Sequence, residues 1–315
     1  MNDAATDTAP TPSLPSPEQV RRLVENLVRL LYQYGAFLGR GVAEDVAKMT
    51  LRVPVAQVDE FGLDEIYRRR VEPLTRFLYR EYFRVDAVGL DHVPPAGRVC
   101  LVSNHSGVLP YDAAMIGYAV EHEHPAGGRI VRPLIDDLFV NAPWLSRIVV
   151  RSGMARACQE NAARLLLHEQ AVCLFPEGLQ GIIKRYRDRY QLKRFGRGGF
   201  VRLCLRTNTP IVPVAVIGGE EIHPVLTQFG WLRRRLGLLV PPVTPTFPLL
   251  GPLGLLPLPA KWTIEFGAPI DVKKEFGIKG ENDDLGINHA KEKIRARIQV
   301  MIYEHLKTRK SVWLG

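Results

Sequence analysis

A chain of 315 residues can bury one large core, alone or with an N-terminal addition, so its stability requires no disulfide framework. The net charge of +9 and pI near 9.5 imply an anionic partner: nucleic acid, an anionic membrane surface or a phosphorylated substrate. Cys100, Cys158, Cys173 and Cys204 show no C-x-x-C spacing and three of them sit in apolar stretches. That is the pattern of free thiols in a reducing compartment and argues against metal or redox chemistry.

In chain order, residues 1–15 are acidic and proline-rich, lack the basic and apolar blocks of a signal peptide, and are expected to form a disordered tail. Ser16 and Pro17 then open a helix in which Val20, Leu23, Val24, Leu27, Val28 and Leu31 recur at helical spacing. A second helical stretch, residues 63–83, sets Ile66, Leu74, Phe77 and Leu78 on one side, with an interruption expected at Pro73. Residues 16–82 therefore read as an N-terminal helical region that covers the domain or lies on a bilayer.

From residue 83 to 315 the pattern changes to a single domain. FRVDAVGL, RVCLVSN, RIVRPLI, AVCLFP, IVPVAVIGG and KWTIEFG read as strands, and PYDAAMIGYAV, ARACQENAARLLLHE, GGFVRLCLRT and a C-terminal AKEKIRARIQVMIYEHLKTRK as helices. The alternation predicts an α/β fold with a mixed, largely parallel central sheet flanked by helices and preceded by the helical extension. Residues 236–260 carry no charge but seven prolines, which would leave backbone groups unsatisfied in lipid. This segment is expected to be an apolar loop packed on the protein or pressed into a membrane interface, with no transmembrane span.

Two stretches could carry chemistry. In VSNHSGVLPYD, residues 102–112, His105 follows a strand end and Asp112 falls in the first turn of the next helix, where a carboxylate is favoured by the helix dipole whatever else it does. Substrates of open α/β sheets bind outside the carboxyl ends of strands, and a histidine held by a carboxylate is a competent base near neutral pH. Ser106 is a rival nucleophile, but no serine lies in a G-x-S-x-G elbow. In VCLFPEGLQG, residues 172–181, Glu177 would reach the same rim, although Pro and Gly after a strand commonly mark only a turn. A basic run follows, with Lys184, Arg185, Arg187, Arg189, Lys193, Arg194 and Arg197, and then the glycine-rich start of a helix; a solvated charged face is the plainer reading of such a run. No nucleic-acid module surrounds it, and the charge-free loop points to lipid, so no nucleic-acid partner is expected.

With these blocks in order, residues 85–270 resemble the glycerolipid and lysophospholipid acyltransferase family, which includes the acylglycerol-phosphate acyltransferases. The resemblance rests on Asn104-His105 with Asp112, Arg151 to Arg156 around Gly153, Phe175-Pro176-Glu177-Gly178, and Pro210 to Val214, in that sequence. It implies transfer of a fatty acyl group from acyl-CoA or acyl carrier protein to a lipid hydroxyl, with no other cofactor. His105 would act as base, Asp112 would orient it, and Glu177 and Gly178 would bind the acceptor head. The partners implied are a membrane surface, met peripherally on its cytoplasmic face, and a lipid acceptor. Two departures stand out. SGVLPY places six residues between His and Asp where the family's commonest form places four, so the loop must fold outward for the pair to meet. The third block continues Leu179-Gln180 in place of Thr-Arg; Arg151, Arg156, Lys184 or Arg185 is expected to supply the missing cation, unless the acceptor is a neutral mono- or diacylglycerol. A lysophospholipid acceptor is preferred because of the basic run. The rival from another class is a non-catalytic lipid-binding surface protein.

Overall fold

The computed structural model describes residues 16–50, 58–107, 109–141, 145–226, 243–247, 249, 251, 254 and 256–313. The tail 1–15, Trp231, Arg233 to Arg235 and, within the proline-rich segment, residues 236–242, 248, 250, 252, 253 and 255 lie outside the described residues. The chain runs α1 (Pro17–Thr50), α2 (Glu65–Phe77), β1 (Asp86–Val88), β2 (Val99–Ser103), α3 (Tyr111–His122), β3 (Val131–Ile135), α4 (Asp137–Asn141), α5 (Leu145–Arg151), β4 (Ala155–Arg156), α6 (Gln159–Leu167) and β5 (Ala171–Leu174). It continues through α7 (Leu179–Ile182), α8 (Gly199–Thr207), β6 (Ile211–Ile217), β7 (Thr263–Phe266), α9 (Val272–Phe276) and α10 (Asp284–Thr308).

Among the described residues seven strands form one sheet in the order β1-β7-β6-β2-β5-β3-β4. Every pairing is parallel except β6 with β7. This is the α/β class the alternation predicts, with the six expected strands in place; only the two-residue β4, too short for any periodicity, was not foreseen. The reason for the parallel core is legible in β2 and β6, which are buried along their whole length and read as continuous apolar runs because helices cover both faces. Leu101 on β2 stands opposite Cys173 on β5 and Val212 on β6, all fully buried. Since β2, β5 and β6 run the same way, the loops after Ser103, Leu174 and Ile217 emerge on one rim.

The N-terminal region departs from expectation in two ways. Helix α2 runs through Pro73 and changes character only at Leu78–Tyr82, a π-helical turn. The hydrogen bond lost at Pro73 is offset by the N-cap, where the Asp64 side chain accepts from the Tyr67 N–H, and by burial of Leu74 and Phe77. Helix α1 docks through a face the apolar spacing did not single out. Leu30 is fully buried, Tyr34 and Phe37 pack on the core, and the Tyr34 and Tyr111 hydroxyls lie 2.6 Å apart. Val24, Leu27, Val28 and Leu31, the stripe read from the sequence, are exposed on the outer side. No helix among the described residues is long and apolar enough to cross a membrane. The end of the proline-rich segment is held on the protein: the Pro257 carbonyl accepts from the Tyr82 hydroxyl at 2.6 Å and Ala260 is fully buried. Cys100, Cys173 and Cys204 are buried free thiols, while Cys158 is partly exposed and caps α6.

The orientation of α1 gives a direct prediction. Leu30→Ala should lower the free energy of unfolding by about 2–5 kcal/mol, while Val28→Ala on the same helix stays within about 0.5 kcal/mol of the parent. Urea titrations of both variants decide it, and the reverse order would mean that α1 docks through its other face.

Candidate active site

Strand β2 delivers Asn104 and His105 to the rim. The Asn104 side chain locks this point to β6, donating to the Val216 carbonyl at 2.9 Å and accepting from the Val216 N–H at 2.7 Å. The chain then reverses through Gly107, whose φ of 79° favours glycine, and re-enters as α3 after Pro110. The reversal returns Asp112 to the histidine, with Ser106, Gly107 and Tyr111 buried on the way: His105 Nδ1 lies 2.6 Å from Asp112 Oδ2. The same oxygen accepts the Ser106 N–H at 2.9 Å, and Oδ1 accepts the Ala113 N–H at 2.8 Å. An ionised carboxylate can only accept, so Nδ1 carries the hydrogen and Nε2 presents its lone pair. Nε2 has no partner among the described residues, and the side chain is 13 % exposed. The Phe175 ring stacks on the imidazole at 4.4 Å between centroids. Ser106 Oγ is buried against Gly219 without a hydrogen-bond partner, which does not suit a nucleophile activated by His105.

Glu177 lies beneath this pair, and its place corrects the expectation that it faces the acceptor head. Its carboxylate is buried; Oε1 accepts the His105 N–H at 3.0 Å, and Oε2 accepts the Lys193 N–H at 2.7 Å and lies 3.4 Å from Lys184 Nζ. Lys184, also expected to meet substrate, is only 2 % exposed and bonds Glu220 Oε1 at 2.9 Å. Gly178, by contrast, is exposed and adopts a φ of 55° beside open space, but its N–H donates to the Phe175 carbonyl and its carbonyl accepts from the Gly181 N–H, both at 3.0 Å. Gly181 is needed for closeness: a Cβ there would come within 2.9 Å of the Cβ atoms of both His105 and Glu177.

The three arginines proposed from sequence are not brought to His105. Arg151 pairs with Asp64 at 2.6 Å and stacks on Tyr67. Arg156, on β4 three strands from β2 and so about 14 Å away at sheet spacing, pairs with Asp137 of α4. Arg185 is exposed and pairs with Asp188 at 3.4 Å. Three residues at the site escaped sequence reasoning: Phe175 as the ring's packing partner, Glu220, and Tyr190, whose N–H donates to Glu220 Oε2 at 3.0 Å. Phe175 stood within a motif already singled out, whereas nothing local marks Glu220 or Tyr190 as neighbours of Lys184.

Behind the histidine turn lies a cavity of about 660 Å³ between α1, α2, α3 and α5, mostly apolar, with Tyr34, Phe37, Leu74, Tyr111, Gly117 and Val149 among its walls. Its lining follows one face of α3 from Pro110, beside Asp112, to Glu121 and His122, about 17 Å of helix at 1.5 Å per residue. Gly117 leaves its Cβ direction open. Arg68 and Glu121, a bidentate ion pair, stand at the far end.

A family model described as acyltransferase matches residues 84–217, which span β1 to β6 and hold His105, Asp112 and Glu177. An uncharacterized protein of Mycobacterium tuberculosis is 42% identical over 259 residues, covering 82% of this chain and 72% of its own length. The chain belongs to the acyltransferase family. An uncharacterized Mycobacterium leprae protein is 41% identical over 259 residues, covering 82% of this chain and 70% of its own. More distant is diacylglycerol O-acyltransferase 1 of Saccharomyces cerevisiae, 27% identical over 163 residues that make up 49% of this chain and 38% of that protein. Among solved structures, the 1-acyl-sn-glycerophosphate (LPA) acyltransferase PlsC of Thermotoga maritima aligns over 93% of this chain and all of its own, with a TM-score of 0.49 and 16% identity. With the acyltransferase model matched over β1 to β6, this protein is an enzyme of acyl transfer.

Glu220 makes the site's stability depend on pH. Burial pushes its carboxyl up from the usual 4.5 to about 7; the Glu177 charge adds to the rise and Lys184 opposes it. A raised acid binds its proton more tightly in the folded state, so stability from this group is lost as pH rises from the unfolded value towards about 7. Glu220→Gln removes that dependence. Its melting temperature relative to the parent should therefore climb between about pH 5 and about pH 8. A constant difference across that range, read by thermal scans, would contradict the assignment.

Proposed function

We propose that the protein moves a fatty acyl group from acyl-CoA or acyl carrier protein to a hydroxyl of a glycerolipid acceptor, lysophosphatidate or another lysophospholipid first. The observation that carries this reading is the 2.6 Å contact of His105 Nδ1 with Asp112, which leaves Nε2 without a partner among the described residues; Pro110, Tyr111 and Ala113, the sequence neighbours of Asp112, line the apolar cavity. Nε2 takes the acceptor hydroxyl's proton as the oxygen attacks the thioester carbonyl, and Asp112 balances the imidazolium that forms. The carbonyl collapses with release of the thiol, to which the imidazolium returns the proton. The cavity along α3 suits the acyl chain, since it excludes water from an apolar ligand of extended shape.

For an anionic acceptor the remaining cations are those of the loop after Glu177. Lys193 supports this role best: its backbone is fixed by Glu177 Oε2, and its side chain has no ion-pair partner among the described residues. A neutral mono- or diacylglycerol acceptor is the second reading, favoured by the inward use of Lys184 and the pairing of Arg151 and Arg156. The outer stripe of α1, with Val24, Leu27, Val28 and Leu31 exposed, suits an interfacial helix on the cytoplasmic face of a membrane. Nearby basic side chains would add about 1 kcal/mol each on an anionic surface.

Purified protein incubated with labelled acyl-CoA and a panel of lysophospholipids, acylglycerols and glycerol phosphate should esterify a lysophospholipid. His105→Ala should lower the rate by about 10²–10⁴-fold while vesicle binding is kept. Gly117→Leu should shift preference towards shorter acyl chains. Vesicle binding without ester formed on any acceptor would favour a non-catalytic lipid-binding protein, and free fatty acid released without acceptor would favour a thioesterase.

A further inference from the structure

Three acidic and basic groups beneath the histidine remain without a role in the chemistry above. Lys184 Nζ lies between Glu220 Oε1 at 2.9 Å and Glu177 Oε2 at 3.4 Å, and the three side chains are 2 %, 5 % and 0 % exposed. Charges of this kind are retained in an interior only when paired and hydrogen-bonded. We propose that Lys184 is a positioning residue, which bridges Glu177 and Glu220 and so holds the Glu177 carboxylate where it fixes the His105 backbone and the basic loop together.

The reasoning runs through what each oxygen must do. Glu177 accepts two backbone N–H groups, from His105 at 3.0 Å and from Lys193 at 2.7 Å, one on each oxygen. A protonated carboxyl would turn one of those oxygens into a donor and break one of the two bonds. Glu220 sets a second buried carboxyl beside Glu177, and Lys184 is the cation that touches both. Burial alone would lower the lysine's own pKa, but Glu220 and Glu177 outweigh it and raise it. The neighbouring cation Arg309 is committed elsewhere, to Glu221 and the Tyr190 hydroxyl. The loop that begins at Lys184 is stapled by the same groups: Tyr190 N–H to Glu220, Lys193 N–H to Glu177, and Leu192 N–H to Gln299 of α10 at 2.8 Å. A lysine so enclosed cannot reach a substrate phosphate; it acts on His105 through Glu177.

This inference rests on the proposed acyl transfer for its kinetic readout and has a second readout that does not. With full-length protein carrying isotope-labelled histidine, and the His105 ring signal assigned by its loss in His105→Ala, Lys184→Met should displace that signal. It should cut kcat by about 10²-fold, the scale of a misplaced catalytic group, with KM for donor and acceptor changed by less than about threefold. Lys184→Arg should recover part of both. Should Lys184→Met fail to fold, Lys184→Met/Glu220→Gln, which removes one charge of each sign, should fold and show a smaller displacement of the His105 signal; a signal left at the parent's position in that variant would overturn the proposal. A raised KM with kcat kept would instead place Lys184 on a substrate, and an unmoved His105 signal with unchanged kcat would remove it from the site; either overturns the proposal. If the parent transfers no acyl group at all, the function fails separately, and the His105 signal alone decides the role of Lys184.

Discussion

The contact from His105 Nδ1 to Asp112 Oδ2 constrains everything around it. To close a 2.6 Å contact across six intervening residues, the chain must leave β2, reverse at Gly107 and start α3 at a fixed height and angle. The Asn104 side chain anchors the departing end to β6, and the Asp112 carboxylate anchors the returning end by accepting the Ser106 and Ala113 N–H groups as well as the imidazole. A histidine on a loop takes one defined orientation because its backbone, ring face and Nδ1 are each held, by Glu177, Phe175 and Asp112 respectively, as the base of the proposed reaction requires.

Holding the site this way consumes charge. A surplus of basic residues suggests a surface field, yet many cations are spent inside: Arg132 on Asp59, Arg151 on Asp64, Arg68 on Glu121, Arg309 on Glu221 and Lys184 on two glutamates. The helix that carries the apolar outer stripe also walls the cavity with Tyr34 and Phe37, so the same element bounds both the solvent-facing side and the apolar cavity along α3.

Much of this could be read from residue order. Strands such as IVPVAVI announce burial on both faces, and the order of N-H, Asp and F-P-E-G marks one rim because parallel strands end on the same side. What stayed hidden depends on partners far apart in sequence. Spacing places Val24, Leu27, Val28 and Leu31 on one face of α1 but cannot say that Leu30, Tyr34 and Phe37 bind the core instead. Lys184 looks like one more member of a basic run, and only the fold brings Glu220 from 36 residues away to enclose it. Glu177 was rightly located on the rim and wrongly aimed, since its direction is set by N–H groups of His105 and Lys193 that no local pattern reveals. Pro73 breaks no helix here because tertiary burial of Leu74 and Phe77 outweighs one missing bond.

The tautomer of His105 bears most directly on whether this arrangement makes it a base. Nitrogen-15 spectra of histidine-labelled protein near neutral pH should show the His105 hydrogen on Nδ1 and a bare Nε2, with the pattern lost in Asp112→Asn. A hydrogen on Nε2 in the parent protein, or an Asp112→Asn variant with the tautomer unaltered, would contradict the account.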